Sequence, residues 1–157
     1  MIRALIVDDN GDVRAALKRI IEKSTDITIG GEATNGLEAI AKIEEQTWDI
    51  VLLDVSLPDL SGLEVLKRIR ILRPDLRVLM VSVHSAAVYA APALRAGASG
   101  YLTKDRAAEQ LVIAIRQVST GLQYFSPSIT EQRGSEKEDS LGPFHSKQRL
   151  RKANSDS

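Results

Sequence analysis

Four apolar runs in this 157-residue chain each end on a residue that could do chemistry. Ala4-Leu5-Ile6-Val7 runs into Asp8-Asp9, and Ile50-Val51-Leu52-Leu53 runs into Asp54. Val78-Leu79-Met80-Val81 ends on Ser82, and Tyr101-Leu102-Thr103 ends on Lys104. If the four runs are neighbouring parallel strands, their C-terminal ends share one edge, where ligands of open α/β sheets bind. Three carboxylates, a hydroxyl and an ammonium would then converge. Carboxylates that close repel one another, and in isolation at least one would take up a proton. A divalent cation removes the conflict, and an all-oxygen site with few protein ligands favours Mg²⁺. Lysine and serine opposite the metal would receive a further anion, a set suited to phosphoryl transfer. Singly, each residue has a plain structural use: Asp8 and Asp9 as helix N-terminal acids, Asp54 as a cap, Lys104 as a surface charge. Their joint placement is what points to chemistry.

The elements that must position these residues alternate along the chain. Short β-branched runs at 3–8, 27–32, 49–54, 76–82 and 99–103 predict five strands, with helical periodicity between them. Val13, Leu17, Ile20 and Ile21 lie on one face of a first helix, after Asn10 as N-cap. Asn35-Gly36-Leu37-Glu38 and Ser61-Gly62-Leu63-Glu64 are capping boxes that start the second and third helices. Asp105 is expected to cap the last helix, whose apolar face carries Leu111, Ile115 and Val118, and Gly121 to end it. The fourth helix is expected to start late, near Pro92, with Ser85–Ala91 a mobile loop, because an interior proline costs about 3 kcal/mol. Five strands and five helices predict a doubly wound α/β domain with a five-stranded parallel sheet. Right-handed crossovers and the flavodoxin-like order 2-1-3-4-5 set strands one and three side by side, so Asp8, Asp9 and Asp54 would meet.

Composition bounds the rest. The formal net charge is +0, with no pull toward nucleic acid or acidic membranes, and there is no cysteine to form disulfides or thiolate metal sites. The N-terminus enters a strand with no signal-peptide pattern, which predicts a soluble cytoplasmic protein without membrane contact. One domain is expected over 1–125, followed at 126–157 by a linker and a disordered polar tail. From Arg133 onward the chain holds six Lys/Arg against four Asp/Glu, a net of +2, and only Leu141, Phe144 and Leu150 as sizeable apolar residues. Lys147-Gln148-Arg149-Leu150-Arg151-Lys152 could touch phosphates, but reads first as a solvated charge run.

The ordered set of motifs resembles the receiver domain of bacterial two-component response regulators. It comprises the acidic pair after the first strand, Asp49-Ile-Val-Leu-Leu-Asp54, Leu57-Pro58-Asp59-Leu60-Ser61-Gly62, Ser82, and Gly97-Ala-Ser-Gly-Tyr-Leu-Thr-Lys104. Val83-His84 and the last run look most like the subfamily that carries a C-terminal helix-turn-helix (LuxR-type) DNA-binding domain. The resemblance, over roughly residues 1–125, implies that Asp54 accepts a phosphoryl group from a sensor histidine kinase. It implies that Asp9, Asp54 and the main-chain carbonyl of Ser56 hold Mg²⁺, with Asp8 acting mainly through water. Lys104 and Ser82 would contact the phosphoryl group, and Tyr101 would follow Ser82 inward, changing the surface of helix four, strand five and helix five. Homodimerisation on activation and regulation of transcription in the intact protein follow from the same likeness.

Two departures stand out. Asp105 follows Lys104 where many receivers carry a cis-proline, leaving the peptide geometry there open. The chain has no helix-turn-helix domain, so no DNA binding is expected of it alone. A stand-alone or pseudo-receiver interaction module is the alternative. A Mg²⁺-dependent phosphohydrolase is the alternative of another class, but the acid such enzymes place two residues past the nucleophile is Ser56 here. No enzymatic turnover is expected beyond assisting its own phosphorylation and autodephosphorylation. Ser56 and His84 flank the line of water attack on an acyl phosphate at Asp54 and are expected to tune its lifetime.

Overall fold

The apolar runs of the sequence stack edge to edge. A computed structural model describes residues 1–125, so the expected tail lies outside the described residues. Within them run β1 (Ile2–Val7), α1 (Gly11–Glu22), β2 (Ile27–Ala33), α2 (Gly36–Glu45), β3 (Ile50–Leu53) and α3 (Gly62–Leu72). Then follow β4 (Arg77–Ser82), α4 (Ala86–Arg95), β5 (Gly100–Thr103), a 3₁₀ turn (Lys104–Arg106), α5 (Ala107–Ser119) and β6 (Tyr124–Phe125). The sheet is parallel throughout in the order β2-β1-β3-β4-β5-β6. The flavodoxin-like order is as expected, and a sixth strand extends it.

Side-chain alternation divides the core into two layers. Ala4, Ile6, Ile50, Leu52, Leu79, Val81 and Leu102 pack against Leu17 and Ile21 of α1 and Leu111, Ile115 and Val118 of α5. The intervening residues Leu5, Val7, Val51, Leu53, Val78, Met80 and Tyr101 are buried on the other face, where α2, α3 and α4 lie side by side. Burial on both faces explains why the central strands read as unbroken apolar runs rather than as alternation.

The caps follow the sequence at three of five helices. Asn10 accepts from the Asp12 and Val13 amides, Asn35 from Glu38, and Ser61 from Glu64. The other two correct the expectation. Helix α4 starts at Ser85, whose Oγ accepts from the Ala87 amide at 3.1 Å, and Pro92 lies inside it. An interior proline costs about 3 kcal/mol, yet α4 runs through Pro92 with Ala86, Ala90 and Ala93 buried. Asp105 is exposed and caps nothing. The chain instead winds into a 3₁₀ turn from Lys104, whose carbonyl accepts from the Ala107 amide, and α5 begins without a side-chain cap. The Lys104–Asp105 peptide is trans, as are the other peptide bonds of the described residues.

Beyond α5, Gly121 at φ +99° reverses the chain as expected. The Gly121 amide donates to Val118 O and the Leu122 amide to Gln117 O, a Schellman ending that delivers Tyr124 to the edge of β5. Too short to show a period, β6 was not legible as a strand. No helix among the described residues is long and apolar enough to cross a membrane.

Candidate functional site

Strands β1, β3, β4 and β5 bring Asp8, Asp54, Ser82 and Lys104 to one edge, because each of those residues ends or directly follows its strand. Asp8 and Asp54 are 2% and 5% exposed, and Asp9 beside them is exposed. One carboxylate oxygen from each of the three lies within 4.8 Å of the others. Lys104 Nζ stands 2.7 Å from Asp8 Oδ2 and 3.3 Å from Asp54 Oδ2, so one ammonium serves two buried carboxylates. The other Asp54 oxygen, Oδ1, is buried without a hydrogen-bond partner. Burial raises the Asp54 carboxyl above the usual carboxylate range, and the charge of Asp8 adds to this against the opposing pull of Lys104. A hard divalent cation fits this donor set: it would take the orphaned oxygen and relieve the repulsion, while all ligands on offer are oxygens. The sequence-stated residues are thus gathered in one place.

Ser56 and His84 also come together. Ser56 Oγ is 2.7 Å from His84 Nε2, and the His84 ring packs against Tyr89 with centroids 5.1 Å apart. The His84 backbone completes a hub: its amide donates to Ser82 Oγ at 3.1 Å, and its carbonyl accepts from the Tyr101 hydroxyl at 2.9 Å. Tyr101 is therefore inward and fully buried, and burial pushes its phenol up so that it keeps its proton. Ser82 and Tyr101, two of the residues expected to switch, thus both hydrogen-bond the His84 backbone.

Three further residues hold the site and were not singled out for it from the sequence. Arg14 Nη1 donates to the Asp8 carbonyl at 2.7 Å while its Nε donates to Glu32 at 2.8 Å. With Lys18 it keeps the Glu32 carboxyl below its usual range. Asp59 accepts from the Gly36 and Leu37 amides at 2.8 and 2.9 Å, tying the loop after β3 to the start of α2. Gly62 opens α3 directly against Asp54, where a Cβ would lie 2.1 Å from the Asp54 carbonyl oxygen. A lone cation one turn after an acidic pair was the only available sign of Arg14. Gly62 stood out in the sequence as the end of the Leu57–Gly62 motif, but its close approach to Asp54 did not.

Comparison with known proteins decides the family. Residues 4–116 match the model of the response regulator receiver domain. The chain belongs to that family. This receiver is 38% identical over 132 residues to the response regulator UvrY of Escherichia coli K12, covering 84% of the chain and 61% of that protein. It is 36% identical over 132 residues to the response regulator GacA of Pseudomonas aeruginosa, again covering 84% of the chain and 62% of the relative. The receiver thus spans about three fifths of the length of these curated relatives. Among solved structures, a LuxR-family two-component response regulator from Aurantimonas superposes with a TM-score of 0.80 at 33% identity. The match covers 90% of this chain and 99% of that one. The LuxR-type likeness read from the motifs agrees with these relatives.

Proposed function

We propose that this receiver is the phosphoacceptor switch of a two-component phosphorelay, with Asp54 as the acceptor. The observation that carries the proposal is the Asp54 carboxylate, buried beside Asp8 and Lys104 with one oxygen unpartnered. In the transfer, an Asp54 oxygen forms the new bond to phosphorus. The bond from phosphorus to the imidazole nitrogen of a sensor histidine kinase breaks, and the imidazole leaves with the electron pair. Asp8, Asp9, Asp54 and the Ser56 carbonyl would hold Mg²⁺, which when bound would neutralise the oxygens of the incoming group. Lys104 then exchanges carboxylate partners for a phosphoryl oxygen, and Ser82 releases the His84 amide to donate to another. Tyr101, already inward on the His84 carbonyl, responds to that change, and the surface of α4, β5 and α5 carries it outward.

The output is regulation of transcription in the intact protein, through homodimerisation on activation. This chain alone binds no DNA and works in the cytoplasm. It turns over nothing except its own acyl phosphate, whose lifetime the Ser56–His84 pair sets by standing over the line of water attack.

Incubation with Mg²⁺ and acetyl phosphate should add one labile phosphoryl group, seen by intact mass. Asp54→Asn or a chelator should abolish it. Labelling that survives Asp54→Asn would sink the assignment. In the same assay Ser56→Asn and His84→Ala should each change the decay rate several-fold, and unchanged decay in both would remove them from the lifetime role.

A further inference from the structure

The last described strand ends beside the switch. In β6, Tyr124 pairs with Gly100 and Phe125 with Tyr101, parallel to β5. Tyr124 belongs to the α5 side of the sheet, in one cluster with Leu79, Leu102 and Leu111, and its hydroxyl donates to Gln110 at 2.7 Å. Its amide donates to the Ser99 carbonyl at 3.0 Å. Alternation puts Phe125 on the other face, the one that carries Tyr101 in the adjacent register. Tyr101 therefore has Met80 of β4 as its sheet neighbour on one flank and Phe125 of β6 on the other. Met80 is fully buried, whereas Phe125 is only half-buried at the sheet edge.

The approach of β6 is close. A Cβ on Gly100 would lie 2.2 Å from the Tyr124 carbonyl oxygen, so the edge of β5 is shaped to accept this strand. Two ladder residues make only a marginal strand by themselves. Whether β6 stays docked thus depends on what its neighbours on β5 offer it.

We infer that β6 is a clasp that reads the position of Tyr101. With Tyr101 inward on His84, Phe125 closes the open flank of β5. A Tyr101 swung outward would need that same edge space, and β6 would let go. The inference rests on the phosphoacceptor reading, since a phosphoryl group on Asp54 is what draws Ser82 and favours the inward Tyr101. Phosphorylation would then tighten β6 against the edge of β5. Coupling between two sites is reciprocal, so a docked β6 must strengthen binding of a phosphoryl mimic by the same factor.

Amide hydrogen exchange on the full chain, with and without beryllofluoride and Mg²⁺, tests this. Protection of the Tyr124 amide should rise about 5-fold or more, while the Leu122 amide, which closes α5, stays nearly constant. Phe125→Ala should reduce that rise and weaken beryllofluoride binding by the matching factor. Gly100→Ala should do likewise by pushing β6 away; because it also burdens β5, Phe125→Ala carries the decision. Uptake of beryllofluoride with unchanged Tyr124 protection, or with equal affinity in Phe125→Ala, would overturn the clasp alone. A wild-type chain that takes up no beryllofluoride would overturn the phosphoacceptor reading, and the clasp with it.

Discussion

The two edges of this sheet use charged residues to opposite ends. At the N-terminal edge the Arg3 amide donates to Asp49 Oδ2 at 2.7 Å. The Arg3 guanidinium bonds Gln46 and the Thr47 carbonyl and lies 4.0 Å over the Trp48 ring. Trp48 in turn donates to the Lys42 carbonyl at 3.0 Å. Each polar group there is satisfied near the surface, where water screens what charge remains. At the C-terminal edge two buried carboxylates share one lysine, and Asp54 Oδ1 is buried without a hydrogen-bond partner. The first arrangement serves the folded chain as it stands. The second gathers carboxylate oxygens that could hold a metal ion, and that difference is what the proposed function rests on.

The contrast can be broken at its tightest point. Gly62→Ala would drive a Cβ to 2.1 Å from the Asp54 carbonyl oxygen and 2.8 Å from Val55 Cα, both main-chain atoms that cannot swing away. The expected cost is about 3 kcal/mol in urea unfolding, the upper range for overpacking, with phosphoryl labelling lost alongside. A loss under about 1 kcal/mol would mean that the loop after β3 yields easily.

Removing the shared cation is the next largest blow. Lys104→Ala leaves Asp8 and Asp54 facing each other without a counter-charge. Breaking a buried pair costs about 3–5 kcal/mol; with the lysine side chain 14% exposed, about 2 kcal/mol is expected here. Saturating Mg²⁺ should restore more stability to this variant than to the wild type. Equal metal effects on both would place the cation somewhere other than this carboxylate cluster.

Asp54→Asn should act in the opposite direction. Because burial and Asp8 raise the Asp54 carboxyl, the folded chain holds that proton more tightly than the unfolded one. The group's contribution is therefore greatest in acid and is lost as pH rises above the ordinary Asp value near 3.9. Without metal, Asp54→Asn is expected to be more stable than wild type at pH 7, with the gap closing toward pH 4. Unfolding midpoints at the two pH values measure it, and a gap that widens in acid would reverse the sign assigned to Asp54.

What the sequence disclosed follows the same division. Strand ends were legible because runs buried on both faces stop abruptly at Asp8, Asp54, Ser82 and Lys104, and sheet order then gathers them. Caps at Asn10, Asn35 and Ser61 were legible because their chemistry is local. Pro92 misled because the helix runs through it from the Ser85 cap, with Ala86, Ala90 and Ala93 buried, and a penalty assessed residue by residue takes no account of that packing. Asp105 misled because the 3₁₀ turn from Lys104 is set by the backbone. Gly62 and Arg14 depend on contacts that the fold of a short loop brings about, and β6 on pairing with a strand more than twenty residues earlier, which local pattern does not reveal.

Arg3→Ala sharpens the comparison from the quiet edge. It removes a cation–π contact and hydrogen bonds that stand in water, which together are worth about 0.5–1 kcal/mol. Phosphoryl labelling of Asp54 and its decay should be unchanged, because Arg3 lies at the far end of β1 from Asp8 and its partners are Asp49, Gln46 and Thr47. Equilibrium unfolding and the labelling time course on one preparation give both readouts. If labelling slowed while stability fell by no more than that amount, β1 would be transmitting strain along its length. The two edges would then be a coupled pair, and the acidic site would owe part of its geometry to the surface cluster beneath it.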